Sequence, residues 1–201
     1  MAIKFQYNKT SLQEMNKQLS MRVRALPTIK NKEAALRLEV KKAKDQAEEL
    51  DAHLKKKMSE YAPMAKLWVE FDSNILKIKN VEHSVKKIAG VRTPVLEKVN
   101  YEIQKFSLFN NPDWFYDGMT ILKEISNLSI ERDFFFRKMN LLDHARKKTT
   151  QKVNLYEKVQ IPEYQDAIRR IKRFLEDEEN LSKSSQKIVK QRQQEIEEAA
   201  L

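Results

Sequence analysis

Cysteine is absent from this chain of 201 residues, and glycine occurs only twice. Without thiols there is no disulfide, no thiolate nucleophile and no sulfur ligand for a metal, which fits a reducing compartment. Two glycines leave little room for tight turns and none for a Gly-rich phosphate loop; neither Gly-x-x-x-x-Gly-Lys nor Gly-x-Ser-x-Gly occurs. No stretch approaches the ~20 apolar residues of a membrane span, and Met1 to Thr10 lacks the apolar run of a signal peptide. Any membrane association is expected to run through a partner. The three histidines, His53, His83 and His144, are far apart, and none has a His or Cys at metal-ligand spacing. They read as solvated or capping side chains. On a helix the run Glu176-Asp177-Glu178-Glu179 would face several directions, so it reads as a solvated patch and not as paired catalytic carboxylates. No catalytic, cofactor-binding or metal residue is assigned, and the isolated chain is expected not to be an enzyme.

What the sequence does contain is helical periodicity at both ends. From Leu12 to Tyr61 the apolar residues climb a heptad ladder. One row is Leu12, Leu19, Leu26, Val40, Ala47, Leu54 and Tyr61; the other is Met15, Ile29, Leu36, Ala43 and Leu50. Only Arg22, Glu33 and Lys57 interrupt them. A narrow stripe sustained this long is the pattern of a coiled-coil seam, and fifty helical residues would span about 75 Å. The helix is expected to start near Asn8 or Thr10, and Thr10 with Gln13 resembles a capping box. Pro27 should kink this arm, and Pro63 interrupts it again. Met64, Leu67, Trp68, Phe71, Ile75 and Ile78 then recur at helical spacing, so the helix is expected to continue, bent, to about Lys79.

The second arm is expected to begin between Asp117 and Ser129. Phe135, Met139, Leu142, Val153 and Tyr156 line one face, followed by Ile161, Tyr164, Ile168, Ile171 and Leu175. Pro162 should kink this arm as Pro27 kinks the other. Apolar support thins after Leu181, and the tail from about Gln191 is expected to fray. Between the arms, valine-rich runs flank Gly90 and Pro94, which predicts a short hairpin. Asn110-Asn111-Pro112-Asp113 reads as a loop, and Trp114, Phe115 and Tyr116 as packing against the rods.

These readings predict an all-α, elongated, antiparallel two-helix coiled coil with a short β-hairpin and small helices in the middle. It would be a single domain made of an N-terminal arm (8–79), a hairpin and loop region (80–117) and a C-terminal arm (118–195). Each arm alone would leave a stripe of apolar side chains in water, and pairing the arms removes both stripes. The net charge of +10 is uneven. Residues 1–57 carry 14 basic and 7 acidic groups and residues 132–175 carry 12 and 5, whereas residues 58–131 carry 9 and 10 and residues 176–201 carry 4 and 7. Basic arms suit nucleic acid, anionic lipid or an acidic protein surface, or they solvate the outside of a coil. No arginine-rich tract interleaved with stacking aromatics is present, so a dedicated nucleic-acid binder is not favoured.

Three segments carry a resemblance to a known family: Asn8-Lys9-Thr10-Ser11-Leu12 with Lys30-Asn31-Lys32-Glu33-Ala34-Ala35-Leu36; Ile88-Ala89-Gly90-Val91-Arg92-Thr93-Pro94-Val95-Leu96-Glu97; and Lys152-Val153-Asn154-Leu155-Tyr156-Glu157-Lys158-Val159-Gln160-Ile161-Pro162. In this order they resemble the D subunits of the V/A-type rotary ATPases, the central-stalk shafts. The third is the most specific, because Ile-Pro inside a helical arm is unusual. Asn8 stands where the family usually has Pro, Pro27 is an extra break, and Ala34-Ala35 replaces an Arg-Asp pair.

The resemblance implies a rotor shaft that threads its terminal coil into a hexamer of alternating catalytic (A) and regulatory (B) subunits. Its rotation would cycle nucleotide sites that belong to the hexamer. The middle would hold the stalk's F subunit, and the foot would seat on the funnel-shaped subunit above the membrane ring. On this reading the protein is cytoplasmic, peripheral to the membrane through its complex, and needs no cofactor and no nucleic acid. Ile88, Gly90, Val91 and Pro94 are the expected partner-binding hairpin residues. Lys9, Lys17, Arg22, Arg24, Lys183, Lys187 and Lys190 are the expected contacts of the hexamer-inserted end. Pro27 and Pro162 are the expected kinks that make the shaft asymmetric. The alternative is a basic coiled-coil adaptor or nucleic-acid-associated scaffold. The flagellar export-gate coiled coil is a nearer look-alike, without the middle hairpin.

Overall fold

Helix α1 runs from Lys9 to Tyr61 in the computed structural model, which describes residues 3–72, 75–104 and 112–199. All twelve rungs of the first ladder are buried or half-buried, and Leu36, Ala43 and Ala47 are completely so, which makes the heptad stripe the contact face. The helix starts at Lys9, within the expected Asn8–Thr10 range. Asn8 is the cap: its Oδ1 accepts from the Ser11 N–H at 2.6 Å, and Ser11 Oγ accepts from the Gln6 N–H at 3.3 Å. The Asn8 side chain thus satisfies one of the end donors of α1, and the Ser11 hydroxyl ties the segment before the helix to its first turn.

The far end of α1 departs from expectation. The helix stops at Tyr61, not near Lys79, and the chain tightens into two 3₁₀ turns, Ala62–Met64 and Leu67–Val69. Pro63 is the reason: it lacks the N–H for the next helical bond, and its ring crowds the preceding turn. Strand β1 (Leu76–Ile88) follows and pairs antiparallel with β2 (Val91–Ile103). The predicted hairpin is therefore present and longer than read from sequence. Ile75 and Ile78, counted to the first arm, lie at its base. Leu76-Lys77-Ile78-Lys79 alternates at the strand period, and that signal competes with the helical spacing in the same residues. Bulges at Lys79 and Glu97 interrupt the ladder. Of the loop predicted at Asn110 to Asp113, Asn110 and Asn111 lie outside the described residues.

Helix α2 (Phe115–Asn154) leads through a single π-helical turn, Leu155–Gln160, into α3 (Ile161–Ala199). The second ladder is also buried or half-buried throughout, with Leu142 and Ile171 fully inside. Helix α3 continues past Gln191 to Ala199, although every described side chain from Glu176 to Ile196 is exposed.

The chain divides into two compact units. The terminal unit comprises Met1–Asn31 with Thr150–Leu201. Its core is Met15, Ile168 and Ile171, with Leu12, Leu19, Tyr164 and Leu175 packed around. Arg22 meets Gln160 and Lys30 meets Glu157, so partner numbers fall as α1 rises and the helices here run antiparallel. The middle unit is Lys32–Thr149. Here Asp51 meets Arg132 and Lys57 meets Glu124, again antiparallel. Its base is an aromatic cluster of Phe71, Trp114 and Phe115 with Ile75 and Met119; Trp68 packs edge-on against Phe71 and Trp114. Tyr116, expected in the packing, is 60% exposed. Gly118 has no room for a side chain, because an added Cβ would lie 2.8 Å from the Trp114 ring.

Leu36 and Ile171 have no exposed surface, one in each unit. Leu36→Ala and Ile171→Ala should each lose about 2–5 kcal/mol through lost burial and a residual cavity. Thermal and urea unfolding of the two variants checks this; an unchanged melting temperature in both would refute the ladder assignment.

Candidate functional site

No group of three or more His, Cys, Asp or Glu that could hold a metal ion is assembled among the described residues, and none of their helices is long and apolar enough to cross a membrane. The candidate surfaces are those a partner would touch: the hairpin of the middle unit and the helix ends of the terminal unit.

The hairpin turns in two residues, Ala89 and Gly90, between the last pair Ile88 and Val91. Both have positive φ, 48° and 82°, the signature of a type I′ turn whose twist matches the strands. Gly90 therefore has the role its sequence position implied. Ala89 is the strained partner, because an L-residue brings its Cβ toward the following carbonyl there. Below the turn, Thr93 is completely buried and donates through Oγ1 to the Lys86 carbonyl at 2.9 Å, which ties the strands together.

Pro94 pairs with Val85 and lines a cavity with Val95, Leu96, Phe134 and Phe135, so this part of β2 lies on α2. Further along, the His83 ring stands 6.0 Å from Phe134, and Tyr101 donates to the Asn127 side chain at 2.7 Å. Of the hairpin residues named from sequence, Ile88, Val91 and Pro94 are half-buried and Gly90 is exposed. The cation beside the turn, Lys32 on α1, comes within 3.4 Å of where a Gly90 Cβ would sit. Sequence spacing alone does not bring Lys32 and Gly90 together.

The seven cations named for the terminal end fare differently. Lys9, Lys17, Arg24, Lys183, Lys187 and Lys190 are exposed. Arg22 is occupied within the packing: it donates to Gln160 Oε1 at 2.8 Å and to Gln18 Oε1 at 2.7 Å, and its guanidinium lies 4.5 Å from the Tyr164 ring centre. A planar fork stacked on an aromatic face in this way orders the helix pair. Lys183 is paired with Glu179 at 2.7 Å. That hydrogen bond, with a smaller contribution from Lys9, holds the Glu179 carboxyl below its ordinary range. The acidic run after Leu175 is thus partly neutralised by cations of its own unit.

Three features were missed from sequence. The first is the extended segment before α1: Ile3 and Phe5 pack on the Met15–Ile168–Ile171 core, and Tyr7 stands 5.4 Å from Phe5 and 5.0 Å from Phe174. Its signal was the alternation of Ile3, Phe5 and Tyr7, which reads as an extended strap with one apolar face. The second is the ion pairing of α1 with α2. Hydrogen bonds from Lys55 and then from Arg132 keep Asp51 below the usual carboxylate range, and Glu124 raises Lys57.

The third is the π turn. The second ladder steps five residues from Tyr156 to Ile161, where a regular α-helix permits three or four. The turn absorbs the surplus residue: the Ile161 N–H bonds to the Tyr156 carbonyl, five residues back. It also relieves Pro162, which cannot bond to the Lys158 carbonyl inside that turn. Pro27, by contrast, sits exposed on α1, which continues past it. The π turn presents Glu157 and Gln160 to α1, where Lys30 reaches Glu157 at 2.6 Å and Arg22 takes Gln160.

Comparison with known proteins is consistent in one direction. A family model for the ATP synthase D subunit matches residues 11–191. The V-type ATP synthase D subunit of Borreliella burgdorferi is 30% identical over 190 residues, covering 93% of this chain and 94% of its own. Proteins of the same name from Chlamydia caviae and Chlamydia trachomatis serovar L2 are 28% and 27% identical, over 86% and 98% of this chain and 87% and 100% of their own.

The strain at Ala89 yields a direct expectation. Ala89→Asn should stabilise the chain by about 0.5–1 kcal/mol, because Asn-Gly is the preferred I′ pair, and Gly90→Ala should cost about 1–2 kcal/mol. Equilibrium unfolding of the two variants, with shifts of opposite sign, is the measurement.

Proposed function

We propose, from the premise that this chain belongs to the ATP synthase D-subunit family, that it is the central rotor-stalk component of a V-type rotary complex. In this role it couples ATP hydrolysis or synthesis in a catalytic hexamer to rotation of an ion-translocating ring in the membrane. The observation that carries the reading is the extent of the family match, 11–191, which takes in the hairpin and most of every helix. Membership makes the chain a structural subunit, and the nucleotide sites are assigned to the hexamer.

Two long helical arms suit the role physically. We take them as a coiled-coil shaft, in which the helix of the first arm ends at Tyr61 and the hairpin, from Leu76 to Ile103, belongs to the middle. An axle must press unequally on chemically equivalent sites to favour one conformation over another. The different handling of Pro27 and Pro162 supplies unequal surfaces. The partners in this reading are the A and B subunits of the hexamer, the F subunit of the stalk and the funnel-shaped subunit on the ring; the location is cytoplasmic and peripheral.

The inserted end is assigned to the terminal unit. Lys9, Lys17, Arg24, Lys183, Lys187 and Lys190 would face acidic groups of the bore, where exposed pairs are weak, of order 0–1 kcal/mol each, and permit turning. The hairpin residues Ile88, Gly90, Val91 and Pro94 are assigned to regulation of the motor.

The purified chain alone should show no ATP turnover. Removing Met1–Arg24 together with Leu181–Leu201 should weaken coupling in an ATP-driven rotation assay while the F subunit is still retained in a pull-down. Loss of the F subunit with normal coupling would invert the orientation assigned here. Deleting Ile88–Leu96 should change the ATPase rate of the assembled motor, and a wild-type rate would refute the regulatory role.

A further inference from the structure

The charge pattern of the hairpin changes sign logic at its tip. Cross-strand charged pairs along the ladder are complementary: Lys77 lies opposite Glu102, and Glu82 opposite Lys98. The last charged pair is not. Lys87 lies directly opposite Arg92, one step from the turn. Like charges directly opposite on an antiparallel ladder repel and destabilise it. Lys86 adjoins them, and Lys32 of α1 reaches the turn. From Val85 to Pro94 there is no Asp or Glu. Lys32, Lys86, Lys87 and Arg92 are all exposed.

The same few residues break a second local rule, the positive φ of Ala89. Local rules broken together, with no compensating carboxylate at the tip among the described residues, mark a place shaped by something other than folding. The strands are tied next to the tip by the Thr93 hydrogen bond to the Lys86 carbonyl.

We infer that the hairpin tip is a recognition knob for a carboxylate-rich protein surface, with Lys87 and Arg92 as its paired contacts and Lys86 and Lys32 as flanking charge. The inference rests on the shaft reading, which places an ATPase hexamer around or beside the chain, and it names that hexamer as the bearer of the carboxylates. A carboxylate pair facing the tip would relieve the Lys87–Arg92 repulsion, and the Arg92 fork matches carboxylate geometry in two parallel hydrogen bonds. A polyanion is a poorer fit. The tip itself carries three cations, Lys86, Lys87 and Arg92, and no aromatic ring on which a base could stack.

The test separates folding from recognition. Lys87→Glu turns the repelling pair into an attracting one. The free variant should therefore melt higher than wild type, by about 1–4 °C. Its affinity for the purified hexamer of catalytic and regulatory subunits should nevertheless fall about tenfold at low salt, and the gap should close as salt screens the contact. The double variant Lys87→Gln/Arg92→Gln should show the same loss of affinity. A variant that melts higher and binds the hexamer as tightly as wild type at low salt overturns the knob and leaves the shaft reading intact. An unchanged melting temperature overturns the claimed repulsion. Failure of the wild-type chain to bind the hexamer overturns the shaft reading and this inference with it. Binding of a 20-mer duplex DNA that Lys87→Glu abolishes would reassign the knob to nucleic acid.

Discussion

The constraint on which the rest of the structure depends is the apolar stripe of α1. A 53-residue helix with Leu, Met and Ile repeating along one narrow face cannot stand alone in water. Each exposed Leu or Ile forgoes roughly 1.5–3 kcal/mol of burial, and propensity adds little to such a helix without packing. The stripe must be covered, and the chain supplies the cover itself: α3 in the terminal unit and α2 in the middle unit. Antiparallel pairing then requires the chain to reverse between the arms. The reversal begins at Pro63, and two 3₁₀ turns lead into the hairpin. The remaining face of α1 is left to Lys, Arg, Glu and Asp, whose local pairs such as Lys44–Glu48 are exposed and individually weak.

The long repeats were legible because periodicity over many turns has no competing reading. Every rung of both ladders is covered, and the Ala89-Gly90 turn lies where glycine and the flanking valines point. The errors fall where two local signals compete within a few residues. Leu76 to Lys79 fits both a helical stripe and a strand, and a proline upstream decided for the strand. Asn8 and Thr10 are both good caps in sequence, and the Asn8 bond to the Ser11 N–H is the one that forms. Arg22 reads as a surface cation in one dimension, yet it lies among Gln18, Gln160 and Tyr164. No spacing rule brings together residues more than a hundred positions apart. The five-residue step at Tyr156 was visible in the ladder, but only as a blemish in a row of threes and fours.

Of the surfaces assigned to partners, the terminal cations were legible as composition, while their division into free and engaged groups was not. Lys183 is paired with Glu179, with Lys9 acting on the same carboxylate from further away, and Arg22 is committed to its own helix pair. Under the shaft reading proposed above, a rotating contact would be served by this mixture. Cations fixed inside the unit keep the helices in register, and exposed ones give many shallow attractions that no single orientation monopolises. The aromatic strap of Phe5 and Tyr7 against Phe174 adds cover at the end where α1 begins, the point at which a two-helix contact would otherwise open.

The π turn fixes how the second arm tolerates change in length. Elsewhere in a regular helix, gaining or losing one residue swings every later side chain by about 100° and takes the apolar row off its seat. At Leu155–Gln160 one surplus residue is already housed, with Glu157 and Gln160 still anchored to α1. The arm therefore has a built-in splice, where its residue count can differ by one while Ile161, Ile168 and Ile171 keep facing inward.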